Sequence, residues 1–186
     1  MLNILNFFFE LRQLRDAPRS GWQIIGVPNA ESVAEHSART AQIAYTLAIL
    51  EEHSHPEHVA TMALFHDIAE CRTGDLHKIA QRYVDADERS VVEGMTESLS
   101  KAGEAIRELW YEAEERTSSA SLIAKDADLL DVAVSAREYM SSGFQAAEDW
   151  YVNAGALLQT EHGKRLWVEL GKADPNAWWK GLKKLS

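Results

Sequence analysis

At 186 residues, with 46% hydrophobic and 26% charged side chains, the chain is long enough to bury a sizeable core in one domain. A formal net charge of -10 argues against a polyanion-binding surface, so no nucleic-acid polymer is expected as a partner, although a local basic pocket stays open. The single cysteine, Cys71, excludes an intramolecular disulfide and fits a reducing, cytoplasmic compartment.

The opening segment, MLNILNFFFELRQLRD, has no basic start and no A-x-A-like cleavage site, and Glu10 and Arg12 end its apolar run early. It is expected to form an amphipathic helix over 2–15, with Phe7, Phe8 and Phe9 as core or dimer contacts. No stretch reaches the roughly 18 uncharged apolar residues of a membrane span, so no membrane association is expected. Pro18, Gly21, Gly26 and Pro28 break the chain into a loop. Ser32 and Glu35 then form a capping-box pattern that opens a helix to about 52. After the turn EEHSHPEH, Pro56 suits the first turn of a helix over 56–70. Helical periodicity continues over 76–84, 87–101, 103–115 and 119–140, with one or two helices over 144–171 and a short last one from Pro175. The expectation is one all-α domain, a compact bundle of about 7–9 helices, with 144–186 peripheral.

The stretch ALFHDIAE, 63–70, carries a histidine and an aspartate side by side among core residues. A buried carboxylate is costly unless it is paired or bound to a metal. Neighbours on a helix point about 100° apart, yet His66 and Asp67 can reach one point between those directions. A metal ion there accepts an imidazole nitrogen and a carboxylate oxygen together. Antiparallel packing would bring His36, in SVAEHSART, to the same place. A further acidic ligand is available in LIAKDADLLD, where Asp126, Asp128 and Asp131 interrupt an apolar helix, and periodicity does not choose among them.

The order H…HD…D resembles that of the HD-domain metal-dependent phosphohydrolases. RSGWQIIGVPNAESVAEHS (19–37), ALFHDIAECRTGD (63–75) and LIAKDADLLD (122–131) are similar to the three signature blocks of their 5′-deoxynucleotidase-type members. The resemblance spans about residues 8–140. It implies hydrolysis of deoxyribonucleoside 5′-monophosphates by an HD-type helical bundle, one divalent ion (Mn, Co, Mg, Fe or Zn) and a homodimer. His36, His66, Asp67 and Asp128 match the metal ligands, the last through a K-x-x-D arrangement from Lys125. Glu70 matches a catalytic glutamate, Asp75 an aspartate that reads the sugar 3′-hydroxyl, and Trp22 a substrate-contacting tryptophan. Arg19 stands in for a phosphate-orienting arginine that some members place where this chain has Gly21. A proline common after the aspartate of TGD is absent, and His77 in GDLHK reads as a loop or cap residue. The cluster His53, His55 and His58 reads as solvated, and the tryptophans at 110, 150, 167, 178 and 179 as core or interface. Two alternatives keep the same pocket: a phosphohydrolase for another small nucleotide or phosphate ester, and a non-catalytic nucleotide-binding module. Sparse ligand spacing argues against a di-iron oxygenase, and the missing G-Y-P signature against a cyclic-dinucleotide phosphodiesterase.

Overall fold

The computed structural model describes residues 1–182, and among these its regular elements are all helical, without a strand. In chain order the helices are α1 (Leu2–Glu10), α2 (Gln13–Asp16), α3 (Ser20–Ile24), α4 (Val33–Leu50), α5 (Pro56–Phe65) and α6 (Glu70–Thr73). They continue with α7 (Glu88–Thr96), α8 (Lys101–Glu115), α9 (Ser119–Ser141), α10 (Glu148–Leu157) and α11 (Glu161–Leu170).

Helix α9 is the axis of the bundle. Alanines and leucines on most of its sides leave it buried over nearly its whole middle. Ala44, Leu47 and Ala48 of α4 and Val59, Met62 and Ala63 of α5 close on it to form the main core. Truncating Leu47, 1% exposed, to alanine is expected to cost about 2–5 kcal/mol. The sequence pattern marks 144–186 as peripheral, and over 147–170 the structure corrects this. The small side chains of α9 leave room for α10, which contributes Ala154 to the main core, while Leu158 follows it there. Trp150 packs on Trp22, with ring centroids 5.5 Å apart.

Three boundaries also differ from the periodicity. The first helix pauses after Glu10, so α1 and α2 share the predicted 2–15 span; Phe7 is buried while Phe8 and Phe9 face outward. The helix expected over 76–84 is only a 3-10 turn, Ala80–Arg82, capped by His77, whose Nδ1 accepts from the Ala80 N–H at 3.1 Å. The helix expected over 56–70 stops at Phe65. In a continued helix the Ala63 carbonyl would accept from the Asp67 N–H. Instead it accepts from His66 Nδ1 at 2.6 Å, and the chain tightens into a turn with Ile68 N–H bonded to Phe65 O and Glu70 N–H to Asp67 O.

The loop over 17–32 is closed at its base by backbone bonds from Arg19 N–H to Glu31 O (2.8 Å) and from Val33 N–H to Ala17 O (2.9 Å). This clasp brings Arg19 and Glu31 to the end of the bundle where α4 begins and α5 ends.

Candidate metal centre

Ser32 caps α4 through the Glu35 N–H while the Glu35 carboxylate returns to the Ser32 N–H, so the helix begins one turn before His36. Loop Glu51–His55 is short, so α5 runs back along α4 and delivers His66 and Asp67 beside His36. Helix α9 presents Asp128 from the third side.

The distances describe a convergent set. His36 Nε2 lies 3.2 Å from Asp128 Oδ1 and 3.5 Å from Asp67 Oδ2. His66 Nε2 lies 3.1 Å from Asp67 Oδ1 and 4.0 Å from Asp128 Oδ1. Ligands about 2.1 Å from one ion stand about 3–3.5 Å from each other, so most of these spacings fit a shared cation. The two histidine Nε2 atoms are buried without a hydrogen-bond partner. Each ring spends its Nδ1–H elsewhere, His36 on Asp131 Oδ2 and His66 on the Ala63 carbonyl, both at 2.6 Å. Two orphaned nitrogens aimed at two carboxylates are what a divalent ion satisfies, and this donor set fits one.

Charge in the pocket is arranged to match. Burial opposes ionisation of Asp67, yet His66, Arg19 and His36 outweigh it and hold the carboxyl below its usual range. Asp128 is likewise held low against burial, chiefly by Lys125, whose Nζ donates to Oδ2 at 2.5 Å and leaves Oδ1 for the histidines. Burial and Arg19 oppose a positive His36, but Asp128 and Asp131 prevail and push it up to about 10. Without a cation, a proton takes the place of one.

Glu70 opens α6 instead of ending a long helix, and its Oε2 is buried without a partner. Burial, then the charges of Asp67 and Asp75, push its carboxyl up to about 9. Arg19 Nη1 donates to Asp67 Oδ2 at 3.2 Å and to Asp75 Oδ1 at 3.5 Å. Gly74, with φ +69°, turns the chain after α6 so that Asp75 faces the loop, where its Oδ2 accepts from the Ser20 N–H at 2.5 Å. His36, His66, Asp67, Glu70, Arg19, Asp75 and Asp128 thus share one pocket. Trp22 is placed differently. It is 3% exposed among Val27, Ala136 and Ala147, and its indole N–H donates to Glu31 Oε1 at 3.1 Å.

The three aspartates left open by periodicity have three separate employments. Asp128 faces the histidines. Asp131 receives His36 Nδ1 and Arg39 Nε. Asp126 turns away and accepts from the N–H groups of Gln159 (3.0 Å) and Thr160 (2.7 Å), which fixes the turn into α11. Glu31 and Arg39 were not anticipated from sequence as parts of the centre, while Lys125 had served only to mark the K-x-x-D arrangement and Asp131 was one of three aspartates left open as a ligand. Their signal was spacing: Arg39 follows His36 by three, Asp131 follows Asp128 by three, and Lys125 precedes it by three, all on shared helix faces.

Among the described residues, groups able to hold an ion are His36–His66–Asp67 and Glu31–His36–Asp131, and the second is already bridged by Arg39. The surface histidines form no such group: His55 pairs with Glu57 and His58 with Glu112. Cys71 is buried and its thiol is pushed up to about 11, first by burial and then by Glu10, so it is not a reactive thiolate.

Comparison with known proteins follows the same outline. The HD domain family profile matches residues 11–161. The 5′-deoxynucleotidase HDDC2 of Bos taurus is 30% identical over 141 residues, covering 74% of this chain and 68% of that protein. A 5′-deoxynucleotidase of Pasteurella multocida is 27% identical over 178 residues, covering 89% of this chain and 90% of that one. The solved structure of a conserved hypothetical protein from Pyrococcus furiosus superposes with a TM-score of 0.75 at 29% identity, covering 91% of this chain and 99% of the other.

Proposed function

The chain belongs to the HD domain family, and on that premise we propose that it is a metal-dependent phosphohydrolase acting on deoxyribonucleoside 5′-monophosphates, releasing deoxynucleoside and phosphate. The observation that carries the reading is the pair of buried, unpartnered Nε2 atoms of His36 and His66 facing Asp67 and Asp128. These four residues would hold one divalent ion. When bound, such an ion neutralises charge on a phosphoryl oxygen and makes a water more acidic.

The other groups do the remaining work. Arg19 is always charged and offers paired N–H donors to the phosphate dianion. It already spans Asp67 and Asp75, so the phosphate would be gripped between the centre and the sugar site. Glu70, raised in pKa and facing the same pocket, takes the proton of the attacking water or returns one to the leaving 5′-oxygen. Asp75 would accept from the 3′-hydroxyl, and its carboxylate crowds a 2′-hydroxyl. Trp22 backs the loop that carries Arg19, and its N–H is spent on Glu31.

We also propose a cytoplasmic homodimer. The lone cysteine suits a reducing compartment, and Leu2, Leu5, Phe8 and Phe9 on the first helix are exposed apolar side chains suited to a second copy. Among the described residues no helix is long and apolar enough to cross a membrane.

The deciding assay is phosphate release from deoxy- and ribonucleoside 5′-monophosphates with Mn, Co, Mg or no added ion, for wild type and Glu70→Ala. Metal-dependent release from the deoxynucleotides, lost in the variant, is expected. Release only from other phosphate esters would keep the reaction and replace the substrate. No release from any ester by a metal-loaded protein would leave a binding module.

A further inference from the structure

Behind the metal-facing groups runs a polar chain that the reaction does not use, fully buried at His36 and Asp131 and part-exposed at Arg39 and Glu31. His36 and Asp131 are both 0% exposed, with Nδ1 and Oδ2 2.6 Å apart. The second oxygen of Asp131 accepts from Arg39 Nε. Arg39 Nη2 donates to Glu31 Oε2 at 3.2 Å and to the Ser135 hydroxyl. Glu31 Oε1 accepts from the Trp22 indole at 3.1 Å and from Ser135 at 3.0 Å. Well-packed apolar residues generally serve stability as well as a buried ion pair does, so stability alone is a poor account of the buried His36–Asp131 pair.

We propose that Asp131 is the positioning residue for the metal ligand His36, and that Arg39 and Glu31 extend its hold to the loop carrying Arg19 and Trp22. The proposal rests on the metal-centre reading above. An ionised carboxylate can only accept, so His36 must turn an N–H toward Asp131 and leave Nε2 for the ion. Arg39 fixes the direction of the whole chain, because it can only donate. In Asp131→Asn the amide oxygen must therefore face Arg39 and the NH₂ must face His36. The imidazole would then have to accept at Nδ1 and carry its proton on Nε2, where the ion should bind.

The test is calorimetric titration of cobalt(II) into chelator-stripped protein, together with the visible spectrum of the bound cobalt(II). Wild type, Asp131→Asn, Asp131→Glu, Glu31→Gln and His36→Ala are compared, each checked for fold by circular dichroism. Wild type is expected to bind one ion per chain. Asp131→Asn is expected to weaken binding by about 100-fold and to alter the spectrum, with Glu31→Gln shifting affinity a few-fold and Asp131→Glu recovering part of the loss. If folded Asp131→Asn binds like wild type while His36→Ala does not bind, the positioning role is overturned and the metal centre stands. If wild type itself binds no cobalt(II), both fall. Should Asp131→Asn not fold, unchanged affinity and spectrum in Glu31→Gln overturn the proposal.

Discussion

Replacing Glu70 by glutamine removes the group whose charge the pocket resists most. Its carboxyl titrates at about 9 in the fold against 4.5 for the free side chain, because burial and the charges of Asp67 and Asp75 disfavour the anion. Between those values the unfolded chain has released a proton that the folded chain keeps. Folding therefore takes up a proton, and stability falls as pH rises across this window, by up to about 1.4 kcal/mol per unit. Near pH 7 the accumulated cost is at most about 3.4 kcal/mol. Glutamine keeps the shape and cannot ionise, so metal-free Glu70→Gln should gain up to that amount. Urea unfolding of chelator-treated protein from about pH 5 to about pH 9 measures it. The two stabilities should coincide at the acid end and separate steadily above it, while hydrolysis by the metal-loaded variant drops by about 10²–10⁴-fold. Parallel stability curves would refute the electrostatic reasoning, and full activity would remove Glu70 from proton transfer.

Three further outcomes are expected. Because a proton occupies the His36 position in the metal-free protein, binding of manganese(II) near pH 7 should release at least one proton, and a second where the ion also discharges Glu70, seen as a buffer-dependent heat in calorimetry; a buffer-independent heat would contradict it. Asp75→Ala should lower the preference for dAMP over AMP by about tenfold, if the crowding at C2′ costs the ribonucleotide about 1.4 kcal/mol, while loss of the 3′-hydroxyl bond should slow both substrates alike; an unchanged ratio would take Asp75 out of sugar reading. Asp126→Ala strands the N–H groups of Gln159 and Thr160, so thermal unfolding should register about 3 kcal/mol of lost stability with activity per folded molecule kept; lost activity in a folded sample would contradict a purely structural Asp126.

The helical class, most of the helices and their order were legible because each depends on local spacing, and the meeting of His36 with His66 and Asp67 followed from packing two such helices antiparallel. Apolar periodicity set α4, α5 and α9, and the Ser32–Glu35 box fixed the start of α4. What stayed hidden depended on partners far along the chain. Periodicity placed Asp126, Asp128 and Asp131 within one helix, but only the approach of Gln159, of the histidines and of Arg39 gives each its task. The same holds for Trp22. Its large apolar ring fits the space left by Tyr139 and Trp150, and Glu31 claims its one donor. The peripheral reading of 144–186 failed over 147–170 for a related cause: alanines on α9 look unremarkable in sequence, yet they leave a flat face that only another helix can cover.

The end of α5 ties backbone to chemistry most closely. ALFHDIAE contains no glycine or proline, and its residues favour a helix, so nothing local announces a stop at Phe65. The stop coincides with His66 Nδ1 taking the Ala63 carbonyl. Losing one helical bond costs about 1 kcal/mol, and the ring bond returns a similar amount, so the exchange is nearly neutral in stability. Its consequence is directional. The ring is pinned through Nδ1, its Nε2 is left toward Asp67 Oδ1 at 3.1 Å, and the tightened turn that follows carries Glu70 into the same pocket. The bond that closes the helix is therefore also the one that selects which ring nitrogen is left for a metal.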